Sequence, residues 1–179
     1  MEVNSHAYTQ FMERYTADGD AIFRFCLLRV SDREQALDLT QETFARFWQA
    51  LQAGQSMTNA RAFIFTVARR LIIDWYRKKK PVSIESLADD GTGESFDIAD
   101  SRALEEIVDG SDGRLLIQAL GKLHPTHREV MYLRFIEDLS PQEIAQVLGI
   151  TANAASVRIH RGLAELRKIA GIDTGIDIT

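Results

Sequence analysis

The run Leu139-Ser-Pro-Gln-Glu-Ile-Ala-Gln-Val-Leu-Gly-Ile-Thr-Ala-Asn-Ala-Ala-Ser-Val-Arg-Ile-His-Arg-Gly162 leaves the backbone little choice. Ser140 can cap a helix, Glu143 three residues on completes a capping box, and Pro141 takes the first helical position, where its missing N–H costs nothing. Ile144, Ala145 and Leu148 give that helix one apolar face. Gly149 supplies the permissive backbone for a sharp turn, Ile150 can plug the corner, and Thr151 caps a second helix. Along the second helix Ala155, Ile159, Leu163 and Leu166 are spaced by four, four and three and form an inward stripe. Asn153, Ser156, Arg158, His160 and Arg161 largely fall elsewhere. The spacing predicts a helix-turn-helix whose outer face is polar and basic, suited to base edges near its start and phosphates farther along.

The rest of the chain also reads as helices. Tyr8, Phe11, Tyr15, Ile22, Phe25 and Leu28 recur at mostly helical spacing, with Ala17-Asp-Gly-Asp20 as an expected break between two helices. Ser31 with Glu34 reads as a capping box opening a helix to about Ala53, with Leu37, Phe44, Trp48 and Leu51 inward and Gly54 ending it. Thr58 or Asn59 can cap a further helix through Lys79, in which Phe63, Val67, Leu71 and Trp75 repeat every fourth residue before Pro81 stops it. Leu115, Leu116, Leu120 and Leu123 then suggest a helix, and Pro125 opens another to about Phe135. No stretch alternates like a strand. The expectation is an all-α chain of two small helical domains, a four-helix one over 1–80 and the helix-turn-helix one over 114–170, with 171–179 a frayed tail.

The net charge of −5 looks wrong for a chain that meets nucleic acid until it is located. Residues 81–113 hold ten acids (Glu85, Asp89, Asp90, Glu94, Asp97, Asp100, Glu105, Glu106, Asp109, Asp112) and one base, Arg102. Outside them, 20 Lys plus Arg (21 less one) face 16 Asp plus Glu (26 less ten). An acidic linker, with a short helix near Ser101–Val108, is expected between two basic domains. The single cysteine, Cys26, lies in an apolar stretch, so neither a disulfide framework nor a cysteine-based zinc site is available within one chain. No apolar run approaches a membrane span, and the N-terminus lacks the basic and apolar parts of a signal peptide; a cytoplasmic protein without membrane insertion is expected.

Two further constellations stand out. Asp38, Gln41 and Glu42 fall at i, i+3 and i+4 on one side of a helix, followed by Phe44. An acidic and amide patch beside an aromatic anchor suits protein docking. Ala68-Arg-Arg-Leu-Ile-Ile-Asp-Trp-Tyr-Arg-Lys-Lys-Lys80 packs six cations and two aromatics into thirteen residues. Such a helix end neutralises phosphates and offers rings to unpaired bases, although helix C-termini favour cations in any protein.

Asp38-Leu-Thr-Gln-Glu-Thr-Phe44, Ala68-Arg-Arg-Leu-Ile-Ile-Asp74 with its basic tail, the linker and the C-terminal helix-turn-helix together resemble the extracytoplasmic-function sigma factors of bacterial RNA polymerase. The resemblance covers nearly the whole chain. It implies an alternative sigma subunit without a catalytic site, metal or cofactor, which binds core polymerase through the largest-subunit clamp helices and the flap region. It further implies that Asp38, Gln41, Glu42 and Phe44 dock on the clamp helices. Arg69, Arg70, Asp74, Trp75, Tyr76, Arg77, Lys78 and Lys79, with the loop at Gly54–Asn59, would melt the −10 element and hold single-stranded DNA. Asn153, Ser156, Arg158, His160 and Arg161 would read the −35 element as duplex. The acidic linker would thread the polymerase cleft, and an anti-sigma partner would be common. Arg70 stands where the family often has asparagine and Ser156 where lysine is frequent, so Arg158→Ala is expected to weaken −35 recognition more than Ser156→Ala.

Two other readings compete. A helix-turn-helix regulator that binds duplex DNA without being a polymerase subunit calls for a sensor or receiver in residues 1–80, which instead read as helices with a basic tip. A metalloenzyme using His124, His127 and the acidic linker lacks a convincing third ligand.

Overall fold

Three long helices carry the N-terminal half: α1 (Glu2–Val30), α2 (Arg33–Gln52) and α3 (Ala60–Lys79). The computed structural model describes residues 2–79, 115 and 118–171. The acidic segment 81–113, including the expected helix near 101–108, and the tail from 172 lie outside the described residues. Past residue 118 a short helical stretch reaches Gly121 and is followed by α4 (Pro125–Phe135), α5 (Pro141–Leu148) and α6 (Ala152–Ile169). Among the described residues there is no strand, and no helix is long and apolar enough to cross a membrane.

The expected break at residues 17–20 does not occur, so the N-terminal unit has three long helices where four were expected. Gly19 faces open space in an unbroken α1. A glycine there costs only about 1 kcal/mol of helix propensity. Asp18 is buried and held by Arg61 at 2.9 Å and Arg14 at 3.3 Å, so tertiary ion pairs fix the residue that looked like a helix breaker. The start of α2 also differs from expectation. Ser31 has φ of 51°, in the left-handed region, whereas an N-cap needs extended backbone. Asp32, with φ −137° and ψ 117°, takes the role and accepts the Gln35 N–H at 3.0 Å.

The core of the N-terminal unit is aromatic. Phe11 packs against Phe44, Phe47 and Trp48, with centroids 6.3, 6.2 and 5.4 Å away, and Tyr15 meets Phe44 edge-on at 4.9 Å. Leu37, expected inward, is 41% exposed; Ala36, Leu39, Thr43 and Phe47 fill the inner face of α2. α3 starts on Asn59, whose side chain accepts the Ala62 N–H at 2.9 Å. It buries Ala62, Ile64, Phe65, Val67, Ala68, Leu71 and Ile72, which is more than one stripe. The excess has a cause: α5 of the C-terminal unit packs on α3, so the helix is covered from two sides.

The apolar core therefore runs without interruption from one unit to the other, with Phe25 of α1 6.1 Å from Tyr132 of α4. Charged side chains accompany it. Arg24 donates through Nε and Nη2 to both oxygens of Glu137 at 2.9 Å, and Tyr132 Oη donates to Glu137 at 2.5 Å. Glu129 receives Arg69 Nε at 3.1 Å and lies 3.7 Å from Arg29 Nη2. Arg29 stacks 3.6 Å above the Phe25 ring, and Tyr76 Oη donates to the Arg29 carbonyl. Exposure of Arg29, Glu129 and Glu137 is 2%, 7% and 2%, so these charges are paired away from water. Burial pulls the Arg29 pKa down and drives that of Tyr132 well up. Neither change removes a charge near neutral pH, because guanidinium starts so high and the phenol is neutral there anyway.

Candidate polymerase and nucleic-acid interfaces

The helix-turn-helix is built by the local signals its sequence carries. Ser140 Oγ accepts the Glu143 N–H at 3.3 Å and Glu143 Oε2 accepts the Ser140 N–H at 2.7 Å, which closes the capping box. Gly149 has φ of 67°, the left-handed value that ends α5, and Thr151 accepts the Ala154 N–H at 3.1 Å to open α6. Burial tends to raise the Glu143 pKa, but hydrogen bonds from Ser140 and Asn59, with the charge of Arg61, hold it below the ordinary carboxylate range. α6 turns Ala155, Ile159 and Gly162 inward. At Gly162 α4 and α6 approach closely: a Cβ would lie 2.7 Å from Met131 Cγ and 2.8 Å from its Sδ, so a larger residue there requires the Met131 side chain to shift.

On the outer side of α6 Asn153, His160 and Arg161 are exposed, and Ser156 and Arg158 are half-buried. At 3.6 residues per turn, Asn153, Val157, His160 and Arg161 share the outward face, with Ser156 and Arg158 on its two flanks. Val157, 40% exposed at the centre of that face, was not singled out in the sequence. Its position four residues after Asn153 was the available signal. A small apolar side chain among polar ones suits contact with a thymine methyl.

The basic end of α3 divides in two. Arg70, Asp74, Arg77, Lys78 and Lys79 reach solvent. Arg69 instead faces the C-terminal unit, bonded to Glu129, and Tyr76 donates to the Arg29 carbonyl of α1 within the N-terminal unit. Trp75 meets Tyr76 edge-on at 4.9 Å, and Lys79 Nζ covers its ring at 4.6 Å.

On α2, Asp38, Gln41 and Glu42 are exposed on one side, and Glu42 pairs with Arg46 at 2.8 Å. Phe44 does not stand beside them as an exposed anchor. It is 2% exposed, wedged under Phe11 and Tyr15, and supports the face from beneath. Seven residues separate Leu37 from Phe44, so both lie on the same stripe. Leu37 is exposed on α2, and Tyr8, Met12 and Tyr15 are exposed on α1.

His127 Nδ1 lies 2.7 Å from Glu165 Oε2 and His124 Nδ1 lies 2.8 Å from Thr126 Oγ1. Among the described residues no group of three or more His, Cys, Asp and Glu side chains is placed to hold a metal ion.

Comparison with known proteins follows the same order along the chain. The family profile for sigma-70 region 2 matches residues 14–82, and that for sigma-70 region 4 matches residues 113–166. The ECF RNA polymerase sigma factor SigL of Mycobacterium tuberculosis is 32% identical over 155 residues, covering 86% of this chain and 84% of its own. The chain belongs to the extracytoplasmic-function sigma factors. SigX of Bacillus subtilis, another sigma factor of this class, is 29% identical over 162 residues, 88% of this chain and 82% of its own. Two solved structures share the fold. The sigma factor RpoE in complex with the anti-sigma factor NepR from Bartonella quintana has a TM-score of 0.62 at 20% identity, over 92% of this chain and 99% of that one. CnrH in complex with the cytosolic domain of CnrY has a TM-score of 0.55 at 24% identity, over 95% and 91%. As a sigma subunit the protein binds core RNA polymerase and directs promoter recognition and transcription initiation. Sigma factors are non-catalytic initiation factors.

Proposed function

We propose that this sigma factor divides its work among three surfaces and one strap. Residues 1–80 form the polymerase-docking and −10 module, 114–170 the −35 module, 81–113 the strap, and 171–179 a tail. Asp38, Gln41 and Glu42 on α2 dock on the clamp helices of the largest polymerase subunit, with Leu37 providing the apolar contact that Phe44 is too buried to make. Arg70, Asp74, Arg77, Lys78 and Lys79, joined by Arg69, Trp75 and Tyr76, engage the opened −10 element. There a base leaves the stack at a cost of a few kcal/mol that contacts to the strand must offset. α6 enters the major groove at the −35 element. Asn153 and Val157 meet bases, with Ser156 and Arg158 on the flanks and His160 and Arg161 toward the phosphates.

The observation that carries this reading is the order of the surfaces: an exposed acidic and amide face, a basic helix end with rings, and a capped recognition helix whose polar side points outward. The acids of 81–113 would imitate RNA in a basic channel of the polymerase. Replacing all ten by their amides should then weaken holoenzyme assembly or alter the lengths of abortive transcripts; unchanged values of both refute that role. An anti-sigma protein is a further expected partner, supported by the structurally similar sigma factor RpoE, which was solved in complex with the anti-sigma factor NepR. The direct test is reconstitution with core polymerase followed by transcription from a promoter library. Initiation at a recurrent pair of elements is the expected result, and the absence of any directed start refutes the reading.

A further inference from the structure

The histidine pair at the start of α4 lies outside the three surfaces on α2, α3 and α6. His124 takes the N-cap position of α4 with φ −55° and ψ 137°, yet its side chain caps nothing; its Nδ1 turns to Thr126 Oγ1. The cap comes from α6 instead. Glu165 Oε1 accepts the His124 N–H at 2.8 Å, and Glu165 Oε2 lies 2.7 Å from His127 Nδ1. Helices α2, α3, α5 and α6 are each capped by a side chain at their own start, whereas α4 borrows its cap from 41 positions away. Burial tends to raise the Glu165 pKa, but the bonds from His127 and His124, with the charges of both, hold it below the ordinary carboxylate range. The group is therefore an anion near neutral pH, and His127 carries its proton on Nδ1, the nitrogen that faces it.

The rest of the contact between α6 and α4 is apolar. Leu163, Leu166 and Ile169 pack on Leu120, Leu123 and Met131, and at Gly162 a Cβ would lie 3.5 Å from His127 Cβ. Apolar contact holds a helix down but, being non-directional, does not fix its angle. The carboxylate does, because its two hydrogen bonds require one position. Glu165 follows Gly162 by three residues, or about 4.5 Å along the axis, so α6 is pinned to α4 on two neighbouring turns. Asn153 lies nine residues before Gly162, an arm of about 13 Å, and a pivot of about 5° would move it by about 1 Å. An error of about 1 Å takes a hydrogen bond to a base edge out of range.

We propose that Glu165 is a positioning residue for promoter recognition: by capping α4 and holding His127 it sets the angle of α6, and so the register of Asn153 and Val157 on the −35 bases. The proposal rests on the assignment of α6 to the −35 element. His127 is the second anchor of the same carboxylate. An acid on a helix that approaches DNA repels phosphate by its charge, so positioning and charge predict opposite outcomes when Glu165 is removed.

The test uses holoenzyme on promoters recovered from the library and on the same promoters with a scrambled −35 element, and reads the ratio of the two affinities. Glu165→Ala should lower that ratio about tenfold, the worth of one base contact, while affinity for the scrambled promoter holds or rises. Glu165→Asp keeps the charge but is one methylene short, and should lose discrimination as Glu165→Ala does. Glu165→Gln drops the charge yet keeps a carbonyl for the His124 N–H, and should recover most of the ratio. His127→Ala should lower the ratio by less, and should add nothing in the Glu165→Ala background. Unchanged discrimination in a folded Glu165→Ala holoenzyme would make the cap merely structural and overturn the proposal. Equal gains on both promoters with Glu165→Ala and Glu165→Gln, at a constant ratio, would leave only a charge effect and overturn it too. Should Glu165→Ala not fold, Glu165→Asp against Glu165→Gln gives the same contrast. A parent holoenzyme that does not distinguish the scrambled element would instead overturn the assignment of α6 to the −35 element.

Discussion

The α5–α6 corner and the basic end of α3 are both proposed to meet nucleic acid, but they are made in opposite ways. The corner is assembled from neighbours in sequence: Ser140 with Glu143, Gly149, and Thr151 with Ala154. The α3 end is fixed by residues far along the chain, since Arg69 answers to Glu129 and Tyr76 to the Arg29 carbonyl. A locally built site keeps its shape whatever the other unit does. A site built from distant partners takes whatever arrangement the whole molecule is in.

Substitutions can break this contrast, beginning with the largest effect. Phe44→Ala should cost about 3–5 kcal/mol of folding stability, measured by denaturant unfolding, because it empties the aromatic core between α1 and α2. Asp38→Ala, Gln41→Ala and Glu42→Ala should leave stability within about 0.5 kcal/mol and lower affinity for core polymerase. If Phe44→Ala proved stable and only lost polymerase affinity, Phe44 would be a docking anchor after all. Next in size, Gly162→Leu should destabilise by about 1–3 kcal/mol through overpacking against Met131, with the loss confined to the C-terminal unit. A neutral result would show that the α4–α6 approach is looser than described.

How much of this was legible in the sequence follows from the same contrast. Every cap and the turn of the helix-turn-helix could be read in advance, because each is set by residues no more than four apart. Asn59, one of the two caps expected for α3, and Pro125 as the start of α4 were legible for the same reason. One local signal failed, since Ser31 takes a left-handed backbone and Asp32 caps α2 in its place, and three long-range features were not legible. The unbroken α1 depends on Arg61 reaching Asp18 from 43 positions away. The position of Leu37 on the outer side depends on which part of a shared stripe α1 covers. The double coverage of α3 depends on a second unit docking on it. Periodicity finds a stripe but does not say what lies against it.

Smaller effects sharpen the account of α6. Asn153→Ala and Val157→Ala should cost about 1–3 kcal/mol of −35 binding and relax preference at single positions. Arg161→Ala should weaken binding to all sequences alike and reduce the salt slope by about 1. Arg158→Ala should exceed Ser156→Ala; equal effects in a promoter titration would contradict the assignment of the flanks. Ser140→Ala should cost about 1 kcal/mol of stability as a lost cap. Glu143 adds a pH signature. Its folded pKa lies below the unfolded value, so its contribution is complete above the ordinary carboxylate range and fades as pH falls through the folded value. The stability gap between the parent and Glu143→Gln should therefore be constant near neutrality and shrink in acid; a gap that widened in acid would contradict the sign.

The central claim, that one chain holds duplex at one element and opened strand at another, is tested most directly by site-specific photocrosslinking in a promoter complex assembled with core polymerase. Crosslinkers placed at Val157 and at Arg70 should label DNA at two separate places, Val157 in the upstream duplex and Arg70 on the unpaired strand. Labelling of one common site, or of duplex DNA from both positions, would contradict it.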